Sequence, residues 1–381
     1  MADFWKEDWA RAREHLLRWW RLEGPAISVM APKDNPWAEL PAPERELPFC
    51  QPNGPKAPRP AAGAPTFPVP GDPLAMWTDP EVRFRAAEHQ MAHTFYGGEA
   101  FPIWHLGYPG NKSLAVFLGG PIRLDFETGW HDPILTGEEI EYEPLRLDEN
   151  EPHFQFALRL LERAARESKG RSIPSTGAFG GSGDTLAALR GTQQLLVDLK
   201  ERPDQVRAAD RYLMELWCRV YDRFHGVIKE AAGGSAGWFA LWSPGKFYAA
   251  QNDFSYMISP KDFREIFLPS VERQTEFLDH TVYHVDGRGA FVHVDALCEL
   301  PRLQALQILP GDGQPSPLHF MPVLKKVQAA GKNLHITIPP DEVETALAEL
   351  SARGLFLELW CKTESQARAL LKNAEKWSRD R

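Results

Sequence analysis

The feature that most constrains this chain is a recurring alternation of short apolar runs with segments of helical periodicity. From Gly24 onward eight runs read as strands: Ala26–Met30, Pro102–Leu106, Ser172–Thr176, Gly237–Trp242, Thr281–Asp286, Ala305–Leu309, Asn333–Ile338 and Leu355–Trp360. The last four recur every roughly 20 to 30 residues, the length of one strand–helix unit. Eight such units favour a parallel α/β fold, a (β/α)8 TIM barrel, over an open sheet. A chain of 381 residues accommodates one such domain with insertions. The expected organisation is a single barrel domain over 1–381, with an N-terminal helix over 1–23 and a Pro-rich loop insertion over 41–73.

Boundary signals support this division. Asp184 can cap a helix over Thr185–Lys200, and Asp204 opens a long one reaching about Ala232. Ser259-Pro260 supplies a cap and a first-turn proline for a helix through Leu278, and Asp341 can cap Glu342–Ala352. Gly331 and Gly354 sit where a helix would hand over to a strand. The stretch Pro41–Pro73 holds eleven prolines, too many for helix or sheet. It follows the first strand, so it is either a lid over the catalytic end or a passive insertion. A second, acidic insertion over Asp125–Glu151 contains Trp130 and His131.

Composition excludes some functions. The net charge of -9, with no basic stripe, argues against nucleic acid as a partner. No run approaches the roughly 18 apolar residues of a membrane span. The N-terminus mixes Trp5, Trp9, Trp19 and Trp20 with many charges. It reads as an amphipathic helix covering one end of a barrel rather than a signal peptide or membrane anchor. Cys50, Cys218, Cys298 and Cys361 form no CxxC pair, which suits a reducing cytoplasm.

Barrels of this kind carry their chemistry at the C-terminal ends of the strands. The fifth expected strand ends His284-Val285-Asp286-Gly287, with the imidazole and the carboxylate on one face. The eighth ends Glu358-Leu359-Trp360-Cys361. His, Asp and Cys all ligate divalent metals, yet a His-x-Asp pair also serves as a satisfied polar or substrate-binding pair. His293 and Asp295 repeat the spacing at a helix start and suit a structural role. Trp104, His105, Trp130, Phe179, Trp242, Tyr256 and Trp360 fall near expected strand ends or loops. They are candidates for binding a methoxylated ring or quaternary amine, or simply core.

Several stretches together resemble the uroporphyrinogen decarboxylase superfamily. The segment Gln251-Asn-Asp-Phe-Ser-Tyr-Met-Ile-Ser-Pro-Lys-Asp-Phe-Arg-Glu-Ile-Phe-Leu-Pro is similar to that family's acidic turn and following ISPE-type helix. The run from Leu195 to Val206 resembles the helix end and turn after its third strand. Further matches are Tyr283-His-Val-Asp-Gly, Leu309-Pro-Gly-Asp-Gly-Gln-Pro and Thr363-Glu-Ser-Gln-Ala-Arg-Ala-Leu-Leu. They span about Phe101 to Lys376. The porphyrinogen decarboxylases carry an arginine-rich loop after strand one. Here that place reads Met30-Ala-Pro-Lys-Asp-Asn-Pro-Trp, which argues against a polycarboxylate porphyrinogen.

The corrinoid-linked methyltransferase branch instead carries His-x-Cys on a late strand and a cysteine after strand eight, all binding zinc. His284 and Cys361 match two of those positions, and Asp286 stands where the first cysteine would be. The resemblance therefore implies zinc or another divalent metal on His284, Asp286 and Cys361, a set harder in character than one with two thiolates. It further implies a small methylated substrate, a corrinoid on a partner protein, and a homodimer. Asp253 and Glu358 are the candidate catalytic carboxylates. Two other readings stay open: a metal-free decarboxylase or lyase using His284 and Asp286 as an acid–base pair, and a non-catalytic small-molecule-binding barrel.

Overall fold

The computed structural model describes residues 6–33, 71–104, 113–125, 129–239 and 241–378. The Pro-rich insertion falls outside these residues except for its last three, where Asp72 caps a short helix, Pro73–Thr78, by accepting the Leu74 and Ala75 amides. His105 also lies outside them.

The strands are β1 (Ala26–Pro32), β2 (Thr94–Gly98), β3 (Ile103–Trp104), β4 (Ile122–Leu124), β5 (Gly129–His131), β6 (Ile173–Pro174), β7 (Ser235–Ala236), β8 (Trp242–Ser243), β9 (Phe247–Gln251), β10 (His280–Asp286), β11 (Ala305–Leu309), β12 (Asn333–Thr337) and β13 (Leu355–Trp360). Seven form one sheet in the order β2-β1-β13-β12-β11-β10-β9. All its pairings are parallel except that of β2 with β1. A separate parallel pair joins β3 to β6. The architecture is a mixed α/β fold with a mostly parallel central sheet and many helices, consistent with the TIM type. The hydrogen-bonded ladder does not run as a closed ring among the described residues.

The expected strand Gly237–Trp242 is corrected. Its ends belong instead to a small antiparallel clasp, β7 with β8, and the next sheet position is taken by β9, which sequence reasoning missed. Trp238 and Phe239 between them spend their rings on the sheet, against His284 and His335 at 5.0 and 4.9 Å between centroids. An apolar run therefore looked like a strand while serving as packing. The segment Phe247-Tyr-Ala-Ala-Gln has no β-branched residue to mark it as one.

Strand alternation gives the sheet two faces. Tyr283 meets Phe263 of a neighbouring helical segment on the outer face. On the inner face the N-terminal helix Trp9–Trp20 sits at the starts of the parallel strands. Trp19 donates to the Gly354 carbonyl at 2.8 Å and packs on Phe356. Trp20 donates to the Trp242 carbonyl and packs on Phe247 and His280. This end of the sheet is covered, so the opposite end carries the site. Among the described residues no helix is long and apolar enough to cross a membrane.

Candidate metal centre

The inner face carries a polar row near the ends of six adjacent strands. Gln251 of β9 is in register with His284 of β10, which is in register with Gln307 of β11, and that with His335 of β12. Glu358 of β13 and Ser28 of β1 continue it in register with each other. All six side chains are buried. A buried polar row costs free energy unless its groups are paired or used. Here His284 Nδ1 lies 2.6 Å from Gln307 Oε1, and His335 Nε2 lies 3.1 Å from Glu358 Oε2.

At the β9–β10 end of the row, ligand atoms of Asp253, His284 and Asp286 all lie within 4.8 Å of one another. Asp286 is the last residue of β10, two beyond His284 and on its face. Asp253 opens a short 3-10 helix, Asp253–Met257, just past β9. That turn is tied down by buried Asp184, which accepts the Phe254 amide at 3.1 Å and Gln251 Nε2 at 3.4 Å. Gly183 beside it admits the Asn252 amide, since a Cβ there would come within 2.6 Å of it. Asp184 sits in the first turn of the helix Ser182–Arg190, which stops at Gly191 before a second helix, Thr192–Glu201. The single helix expected over Thr185–Lys200 is thus two, and Asp184 serves the site turn rather than capping.

Burial is the main force on Asp286 and holds its carboxyl above the usual range. His284 pulls it back down, while Asp253 and Asp312 push it up. Gly287 follows with φ +80°, and a Cβ there would meet the Tyr256 ring at 2.7 Å. Tyr256 therefore lies across the Gly287–Gly289 turn as an exposed rim to the site.

The remaining expected residues separate. Cys361 stands outside the three-residue group. It is fully buried in the apolar core and its thiol is pushed up to about 11 by that burial. It follows Trp360 by one residue, and a one-residue step on a strand leads to the other face. Glu358 is occupied by His335. Trp360 is half-buried at the end of β13, in register with Met30. Trp104 is buried against Phe84. Phe179 is core, stacked on Trp217 and tilted on Tyr248. Trp242 is corrected as a site residue: it meets Trp9 of the N-terminal helix at the covered end. Trp130 is exposed on the β4–β5 hairpin.

Sequence reasoning missed Trp238, whose ring meets the His284 ring edge-on, and Gln307. A glutamine at the centre of the apolar strand Ala305-Leu-Gln-Ile-Leu was a signal for the latter.

No family model matches the chain, and no curated protein matches it in sequence. A solved structure shares its fold. That structure is a methyltransferase from Methanosarcina mazei, at a TM-score of 0.57 over 79% of this chain and 86% of that one. The two sequences are 14% identical, so the likeness bears on the fold alone.

Proposed function

We propose that this chain is a methyltransferase-like enzyme that moves a methyl group between a small methylated substrate and a corrinoid carried by a partner protein. One divalent metal ion, zinc or another, would be held by Asp253, His284 and Asp286 at the mouth of a (β/α)8 barrel. The supporting observation is the convergence of one imidazole and two carboxylates within 4.8 Å, on a fold that a methyltransferase also uses. The donor set fits the group: three protein ligands of borderline and hard character leave a coordination position for substrate. When bound, the ion supplies Lewis-acid polarisation of the atom that carries the methyl group. Gln307 orients His284, Asp184 holds the turn that carries Asp253, and the Trp238 ring shields one side of the imidazole. Closure of the barrel, with the β3–β6 pair completing the ring, and pairing of two copies belong to this reading.

A metal-free lyase is the second reading, and one observation favours it. The raised Asp286 carboxyl is suited to donating a proton beside an imidazole. The two readings separate in one assay. Metal-loaded protein is mixed with cob(I)alamin and, in turn, methanol, trimethylamine and 2-methoxyphenol, and the loss of cob(I)alamin absorbance is followed. Methyl transfer predicts acceleration with at least one donor and at least a hundredfold loss in His284→Ala, in line with removal of a metal-ligating group. No acceleration with any donor by fully loaded protein speaks against it.

A further inference from the structure

We infer that Gln307 is a positioning residue that sets the tautomer of His284, keeping the ring proton on Nδ1 and turning the Nε2 lone pair toward Asp253 and Asp286. The claim deepens the metal-centre reading and rests on it for its purpose, although the tautomer itself is a property of the metal-free chain.

Three observations carry it. Gln307 is wholly buried in the middle of β11, where an amide costs free energy unless it is used. Its register partner on β10 is His284, and Oε1 stands 2.6 Å from Nδ1. A carbonyl oxygen only accepts, so Nδ1 must carry the hydrogen. The ring cannot readily turn to exchange its nitrogens, because Trp238 stands against it at 82° with centroids 5.0 Å apart. Rotamer and tautomer are therefore fixed by separate neighbours. The Gln307 Nε2 has no hydrogen-bond partner among the described residues. A reversed amide would satisfy that nitrogen on His284 but would force the ring proton onto Nε2, facing the two carboxylates, and leave no ligating lone pair there. Hydrogen positions decide between the two arrangements, and they are measurable.

The experiment is 15N-edited imidazole NMR on metal-free wild type, Gln307→Leu and Gln307→Glu at a pH where the rings are neutral, followed by Co(II) titration of each. The wild-type His284 resonance should show the Nδ1–H form. Gln307→Leu should revert to the Nε2–H form that free histidine favours, and its Co(II) affinity should fall about 10- to 100-fold. Gln307→Glu, which keeps an acceptor, should retain Nδ1–H and restore the affinity. A wild-type ring protonated on Nε2 overturns the inference even if the leucine variant fails to fold, as does a leucine variant indistinguishable from wild type. Wild type with Nδ1–H but no Co(II) uptake would uphold the role of Gln307 and remove the metal reading instead.

Discussion

Asp210 lies midway along the helix Pro203–Ala232, fully buried where that helix meets those carrying Ser182 and Ser270. Burial pushes its carboxyl up to about 7, with the two serine hydroxyls pulling only partly back. In the unfolded chain the group ionises near its ordinary value of 3.8. Between those two points the native state holds a proton that the unfolded state has lost, so stability falls as pH rises through this window and levels off above it. Asp210→Asn should remove that slope. Urea denaturation should find the variant more stable than wild type at pH 8, by on the order of a few kcal/mol, and no better at pH 4. Equal stabilities at both pH values would show that the carboxyl is not buried as described. The same scale shows what could be read from the chain. His284 and Asp286 were legible as a pair because strand alternation puts residues two apart on one face. Asp253 was singled out, but as a catalytic group. Its convergence with them depends on the turn after β9, which Asp184 organises from seventy residues away in sequence. Cys361 was grouped with them through a resemblance that carries no information on which face it takes.

At the scale of elements, the N-terminal helix is the part most open to a direct test. Trp19 is 0% exposed and both donates to Gly354 and packs on Phe356. Trp19→Ala should cost about 3–5 kcal/mol by denaturant unfolding. Trp130→Ala, at a residue 61% exposed, should change stability by less than about 0.5 kcal/mol. A helix that merely decorates the surface would give small effects for both. Elements with a strong period were readable. The last four expected strands match β10 to β13 within a residue or two at each end, and the helix from Pro203 to Ala232 begins and ends where its cap signals put it. Short elements held by tertiary contacts were not. The β7–β8 clasp, β2 and the β4–β5 hairpin are each a few residues long, and their pairing comes from neighbours distant in sequence rather than from local pattern.

The whole molecule divides its two sheet ends by task. At the strand starts, tryptophans of the N-terminal helix bury apolar surface and donate to backbone carbonyls. At the strand ends the inner face turns polar, from Gln251 through His284, Gln307 and His335 to Glu358 and Ser28. The division follows from the parallel sheet, which sends every strand's last residues to one rim. The most direct test of the central claim is metal content by elemental analysis on wild type, Asp253→Asn, His284→Ala and Cys361→Ser, after loading with zinc and removal of excess. One ion per chain in wild type and in Cys361→Ser, lost from Asp253→Asn and His284→Ala, is the result this account predicts. A wild type that retains no metal, or an ion lost when Cys361 alone is changed, would contradict it.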